Sequence, residues 1–511
     1  MPSSETTKPV QGRAFTVLTM CCAVLAGMAA TRPAAAADPV VFSFATVGDS
    51  RTDPATFDPT TALGIGGAGA SGQPNSPGYP SLTGTLLPQD AHWLQNTKDF
   101  SRILRSIQAQ KPNLLVFNGD MIYGYGRPSL PPQLSSIASV SALVSTDAVF
   151  EYLQYAYWRG LVSQMFETGT YVVPVPGNHE TQCNSKDTTN SPSNCASGKT
   201  AYVDNEQAFV ANMGDLIEDI STNERFQTVS GFGAVAVNGF TSATAPLSGG
   251  NNGNYTTPNS GSPSTNPQET ELDYSFDITV NTASAPELLH FVVINTDPAG
   301  ADQTAPSDWL AADLSAAKQR AATAGAIPKY FVFGHKPALT YDYNLVTSAG
   351  PNQPVSAGGL DSNTKTDPAT SLTTDGVTIN NPSGKYQYAF WAVIAHYNAT
   401  YFCGHEHIVH VEAIPDPTGT SSNTPYQVTV GAGGSPFDDT LAPGPAEPVP
   451  FTTPWDRFYG WALVQIHQSG AVTMSVQGFN DGAIYNPSTG AISSLSTTGP
   501  LQQLYSIGNL Q

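Results

Sequence analysis

Acids, amides and imidazoles recur in this sequence at one kind of place, just past the end of a short apolar run. Val40 to Val47 ends in Gly48-Asp49-Ser50-Arg51, and Leu114 to Phe117 ends in Asn118-Gly119-Asp120-Met121-Ile122-Tyr123. Tyr171 to Val175 leads through Pro176 into Gly177-Asn178-His179-Glu180. Tyr330 to Phe333 ends in Gly334-His335, and Thr400 to Cys403 ends in Gly404-His405-Glu406-His407. A glycine stands immediately before Asp49, Asp120, Asn178, His335 and His405, where it admits a sharp turn or a close backbone approach. Any one segment has an ordinary reading, Asp49 as a helix cap or His335 as a packed histidine. Together, each after an apolar run, they point to one shared crevice at a sheet edge.

Carboxylates, an amide oxygen and imidazoles suit divalent or trivalent first-row metals, and the scarcity of cysteine argues against a structural zinc cluster. His405 and His407 point the same way if the backbone is extended, or splay to different metals if it turns. A carboxylate bridging two metals ~3.5 to 4 Å apart lets one metal acidify a water into an attacking hydroxide while both neutralise phosphoryl oxygens. Phosphate esters are the substrates such a site serves.

The elements that must carry these residues are legible as runs rich in β-branched and aromatic residues: Val40 to Val47, Leu114 to Phe117, Tyr171 to Val175, Leu289 to Ile294, Tyr330 to Phe333 and Thr400 to Cys403. Helical patterns lie between them at Trp93 to Gln110, Val149 to Phe166, Ser307 to Ala324 and Tyr386 to Tyr397. This alternation predicts an α/β sandwich. After Cys403 strand follows strand, at Ile408 to Ile414, Tyr426 to Val430, Tyr459 to His467 and Ala471 to Gln477, so the carboxyl-terminal part should be β-rich and antiparallel. Stretches rich in Gly, Pro, Asn and Ser near 53–88, 241–269 and 346–384 read as long surface insertions. No linker separates two cores, so 38–511 is expected to be a single catalytic domain.

The chain has 511 residues, a formal net charge of -20 and only 12% charged side chains, which argues against a nucleic-acid-binding surface. A small anionic substrate is still accessible, because bound cations dominate the local field. Lys8 and Arg13 precede the apolar run Ala14 to Ala30, and Ala34 to Ala37 offers a cleavage site, so 1–37 is expected to be a signal peptide and the protein secreted or periplasmic. No other stretch is apolar enough to span a bilayer. Cys183 and Cys195 flank a polar stretch and suit a disulfide in an oxidising compartment, whereas Cys403 reads as a buried strand residue.

The ordered motifs resemble those of calcineurin-like metallophosphoesterases, over about Val40 to Gln477, and in one detail the purple acid phosphatase branch. Most of that family carry Asp-x-His in the first motif, whereas Arg51 stands two residues after Asp49 here. The purple branch uses a tyrosine three residues after the second aspartate, and Tyr123 occupies that place; Val332-Phe333-Gly334-His335 matches its Val-x-x-His. The resemblance implies a four-layer α/β/β/α sandwich of mixed sheets and two metal ions, iron, manganese or zinc. It implies that Asp49, Asp120, Tyr123 and His407 hold one metal, that Asp120, Asn178, His335 and His405 hold the other, and that His179 faces the substrate. The purple branch usually has glycine at the position of Arg51, and further histidines where Tyr341 to Asn344 stand. A guanidinium at Arg51 suits a bidentate grip on a terminal phosphate; a structural ion pair with Asp53 or another acid is the competing reading. The expected activity is phosphomonoester hydrolysis of a small substrate, with a phosphodiesterase, or a secreted binding protein on a degenerate scaffold, as the alternatives.

Overall fold

Side chains alternate across each strand, so a strand that is apolar on both faces needs a partner on each side. The computed structural model describes residues 38–51, 88–124, 147–184, 199–201, 203–222, 224–232, 235–238, 272–298, 302–340, 359–360, 371–381, 384–435, 458–479 and 499–511, and in it those partners are two mixed sheets and flanking helices. The first sheet runs, in spatial order, Gln502–Ile507, Val472–Phe479, Tyr459–His467, Val40–Val47, Leu114–Asn118 and Tyr171–Val175. The last three are parallel to one another, and the carboxyl-terminal strands join antiparallel, as expected. The second runs Val409–Ala413, Tyr426–Val430, Thr400–Cys403, Ile327–Phe333, Pro286–Val293, Tyr274–Asn281 and Val235–Asn238, parallel through its middle.

Phe44 of the first sheet meets Phe291, Phe331, Phe333 and Phe402 of the second, with ring centroids 4.9 to 5.8 Å apart. One residue over, Tyr330, Val332 and Tyr401 turn to the other face and bury against Trp309, Leu314, Phe390 and Trp391 of the helices Ser307–Ala324 and Tyr386–Tyr397. On the far side of the first sheet, Phe117 packs edge-on to Phe100 and Trp158 of the helices Pro88–Gln110 and Asp147–Glu167. The order is therefore helix, sheet, sheet, helix: an α/β sandwich. Pro39–Gln511 packs as one compact unit. Among the described residues no helix is long and apolar enough to cross a membrane.

Several elements are additional to those read from the sequence. The helices Val203–Thr222 and Glu224–Ser230 and the strands Val235–Asn238, Tyr274–Asn281 and Gln502–Ile507 extend the layers. Within the stretch expected to be an irregular insertion, Ser371–Thr374 and Val377–Asn380 pair as an antiparallel hairpin with Ile379 fully buried. The expected signal peptide at 1–37 and the expected insertions near 53–88 (Pro88 apart) and 241–269 lie outside the described residues, as do the side chains of the expected Cys183–Cys195 disulfide. Cys403 is buried, beside the Thr429 hydroxyl at 3.4 Å.

Candidate metal centre

The strand registers bring the polar turns together. Val47 lies beside Phe117 and Phe117 beside Pro174 in the first sheet, while Phe333 lies beside Phe402 in the second, so all five turns leave their strands at one edge of the sandwich. Four links then close the turns on one another: Asp49 N donates to Gly119 O (2.9 Å), Arg51 N to Asp120 O (2.8 Å), Gly404 N to His335 O (2.9 Å) and His405 N to Asp49 Oδ2 (2.9 Å).

The glycines act here mainly through the absence of a side chain. A Cβ on Gly177 would overlap Asp120, and one on Gly404 would overlap the Asp49 carboxylate. The unusual backbone falls on the functional residues themselves: Asp49 (φ 62°), Asp120 (φ 53°) and His405 (φ 70°) are left-handed, a conformation that costs non-glycine residues energy and clusters at functional sites. His405 and His407 thus sit on a turn ahead of the strand Val409–Ala413 and not on extended backbone.

His335 Nδ1 donates to the Asn118 carbonyl at 2.8 Å, which turns Nε2 toward Asp120 Oδ1 (3.1 Å) and Asn178 Oδ1 (2.8 Å). His405 Nδ1 lies 2.8 Å from the same Asn178 oxygen and 3.2 Å from His335 Nε2. His335 Nε2 thus has a donor atom of Asp120, of Asn178 and of His405 within 3.2 Å. Ligands about 2.1 Å from a common cation are spaced by about 3 to 3.4 Å, so these separations fit a bound metal ion. Asp49, Asp120 and His335 in addition present ligand atoms within 4.8 Å of one another, all fully buried. Asp49 Oδ1 has no hydrogen-bond partner among the described residues, and its nearest basic neighbour is His407 Nε2 at 3.6 Å.

The electrostatics agree. Burial pushes the Asp49 carboxyl well above the usual carboxylate range, with Asp120 adding to the rise and His335 and Arg51 opposing it. Burial acts on Asp120 in the same sense, but His179, His335 and Arg51 overcome it and hold that carboxyl well below its ordinary value. Burial lowers His335, yet Asp120 and Asp49 override it and raise the imidazole to about 9. Two buried carboxylates that draw positive charge onto a neighbouring imidazole form the environment a divalent cation complements.

His179 is buried; its backbone N donates to Asp120 Oδ1 at 3.0 Å, its Nδ1 bonds the Tyr123 carbonyl, and its Nε2 lies 3.6 Å from Asp120 Oδ2. The Tyr123 ring stands edge-on to the His179 ring at 5.9 Å. Arg51 Nε is 3.3 Å from Asp120 Oδ2, so the ion pair of Arg51 is made with an acid of the cluster itself. The expected partner Asp53 lies outside the described residues.

Glu180 is additional to the residues expected at the site from the sequence. Its Oε2 accepts from the backbone N of Asp120 (2.8 Å) and of Gly177 (2.8 Å), and its Oε1 from that of Ile122 (3.1 Å). One carboxylate thus clamps two of the five turns together. Burial, helped by Asp120, raises its pKa to about 7. An acid directly after His179, within the Gly177-Asn178-His179-Glu180 turn, is the available signal.

No curated protein matches the sequence. Among solved structures, the chain resembles the GAP50 anchor of the inner membrane complex of Plasmodium, at 11% identity and a TM-score of 0.35, over 92% of this chain and 90% of that one. It also resembles a dimetal phosphatase from Danio rerio, at 9% identity and a TM-score of 0.36, over 86% and 96%. The model of the family described as calcineurin-like phosphoesterase matches residues 90–280, which include the Asp120 and Asn178 turns. That match makes residues 90–280 similar to the calcineurin-like phosphoesterases, on a sandwich whose strand ends bring the metal-donor atoms of Asp49, Asp120 and His335 together.

Proposed function

We propose that the chain is an exported phosphomonoesterase that hydrolyses a small phosphate ester with two metal ions, drawn from iron, manganese and zinc. The observation that supports this most directly is the gathering of Asp120 Oδ1, Asn178 Oδ1 and His405 Nδ1 around His335 Nε2, with the buried Asp49 carboxylate within 4.8 Å of the Asp120 and His335 ligand atoms. On this reading Asp120, Asn178, His335 and His405 hold one metal, and Asp49, Asp120, Tyr123 and His407 the other, Asp120 being shared. When bound, the two metals supply an acidified water and neutralise charge on the phosphoryl oxygens.

The protein's own groups do the rest. His335 is held in one tautomer by its Nδ1 bond to Asn118, so that Nε2 is the ligating atom. His179, anchored through Nδ1 to the Tyr123 carbonyl, can when doubly protonated pass its Nε2 proton to the leaving-group oxygen. Arg51, beside Asp120, grips a non-bridging phosphate oxygen. The location, secreted or periplasmic, rests on the signal peptide read at 1–37.

Metal analysis together with hydrolysis of a generic aryl phosphate tests the proposal. Two metals per chain are expected in the native protein, and Asp120→Asn should lower turnover by on the order of a thousandfold, since a bridging ligand supports several kcal/mol of charge stabilisation. A metal-free protein that leaves the ester intact, or an Asp120→Asn variant of native activity, would sink it.

A further inference from the structure

Behind the candidate metal centre lies a second polar cluster that the chemistry above does not use. Lys336, the residue after His335, is 2% exposed, and its ammonium lies 2.6 Å from Oδ1 of Asp297, itself 1% exposed. The same oxygen accepts from Gln182 Nε2 at 3.1 Å and from the backbone N of Gln303 at 3.1 Å. Gln182 caps the short helix Asn178–Thr181, which carries Asn178 and His179. One carboxylate oxygen therefore ties the His335 turn of the second sheet to the His179 helix that follows the first.

The Lys336 end of this tie is rigid. Its backbone N donates to Thr296 Oγ1 (3.2 Å), and its carbonyl accepts from the Tyr401 hydroxyl (2.6 Å). Burying an ammonium and a carboxylate together is rarely more stabilising than an apolar pair of the same size, because desolvation offsets the attraction. A buried pair at this position is therefore better explained by placement than by stability. The pair is neutral overall, so it acts through geometry and adds little net field at the metals.

We infer that Lys336, Asp297 and Gln182 are positioning residues that set the spacing between His335 and the Asn178–His179 helix, an inference that rests on the metal-centre reading above. The full chain and two variants test it. Gln182→Met removes the link to the helix, together with a longer contact of the same amide to Asp302 Oδ1 (3.5 Å), and the double variant Lys336→Met/Asp297→Leu replaces the ion pair by an apolar pair, so that neither leaves a lone buried charge. Binding of Mn²⁺ is followed by electron paramagnetic resonance, alongside kcat and KM for an aryl phosphate. Outer-shell losses typically cost about 10- to 100-fold in metal affinity or activity, so the Kd for Mn²⁺ should rise and kcat fall by roughly tenfold in each variant, with KM moved less than about twofold. Native Mn²⁺ affinity and native kcat in both variants, with only the melting temperature lowered, overturn the inference. If the native chain binds Mn²⁺ but turns over no ester, the phosphoesterase proposal falls, and the Mn²⁺ comparison still decides the positioning role.

Discussion

Arg51 joins the site at Asp120, through its backbone N to Asp120 O (2.8 Å) and its Nε to Asp120 Oδ2 (3.3 Å), from a left-handed backbone (φ 41°) with 26% of its side chain exposed. A partly exposed guanidinium beside a buried acid is placed to reach a ligand from the solvent side while its stem stays fixed. A monoester presents more charged terminal oxygens than a diester, so a cation here favours the monoester. A hydrogen bond to a charged group contributes about 1.5 to 3 kcal/mol, so Arg51→Ala should lower kcat/KM for an aryl monoester by roughly 10- to 100-fold and for the matching diester by much less. Steady-state kinetics on both esters measure this, and an unchanged monoester-to-diester ratio would count against the gripping role.

At the scale of elements, the strands that bear the site were readable because they are short apolar runs ended by glycine. Val40–Val47, Tyr171–Val175 and Thr400–Cys403, with the helices Ser307–Ala324 and Tyr386–Tyr397, fall where the sequence places them. The strands at 286–293 and 327–333 begin earlier than expected, because their first residues, Pro286-Glu287 and Ile327-Pro328-Lys329, break the apolar run while the ladder continues. In the helix Val203–Thr222, which is additional to the expected elements, Phe209, Met213, Leu216, Ile217 and Ile220 recur at helical spacing and are buried, and Tyr274, Phe276, Ile278 and Val280 alternate as a half-polar strand does. The polar residues that gather at the candidate site are legible in the sequence; its clamps, Glu180 and the Lys336–Asp297 pair, are not, because they depend on contacts 39 to 60 residues apart in sequence. A further polar contact set joins the Tyr274–Asn281 and Pro286–Val293 strands to the Ser307–Ala324 helix. His290 is fully buried, with Nδ1 2.7 Å from Asp277 Oδ1 and Nε2 3.0 Å from Asp313 Oδ2, and Arg320 Nε bonds Asp277 Oδ2 at 2.7 Å. Burial lowers the His290 pKa, but Asp313 and Asp277 override it and raise it to about 9. Because this lies above the unfolded value of about 6.5, the stabilisation is fully present below that pH and is lost as pH rises toward 9. The melting temperature of the native protein should therefore fall between about pH 6.5 and 9 more steeply than that of His290→Gln. His335 titrates in the same window in both proteins, so the difference in slope isolates His290, and equal slopes would remove it as a contributor.

For the molecule as a whole, the decisive surface is the one between the two sheets, since each sheet supplies only part of the candidate centre. Asp49, Asp120 and Asn178 follow strands of the first, His335 and His405 strands of the second, and the aromatic layer of Phe44 with Phe291, Phe331, Phe333 and Phe402 sets how those strands face one another. Phe44 lies on the strand that ends at Asp49, and Phe333 and Phe402 lie within three residues of His335 and His405, so a shift in this layer is transmitted directly to the ligands. Truncating a fully buried Phe to Ala typically costs about 3 to 5 kcal/mol, through lost transfer energy and the cavity left behind. Phe44→Ala should lose that much stability in denaturant titration and, where still folded, bind Mn²⁺ more weakly, because relaxation into the cavity brings one sheet toward the other and alters the ligand spacing. Leu153→Ala, at a side chain 44% exposed on an outer helix, should change stability by no more than about 0.5 kcal/mol and leave Mn²⁺ affinity intact. A folded Phe44→Ala protein with native Mn²⁺ affinity would show that the turns hold their geometry independently of the core, and that hydrogen bonds such as His405 N to Asp49 Oδ2, rather than the sheet packing, fix the centre.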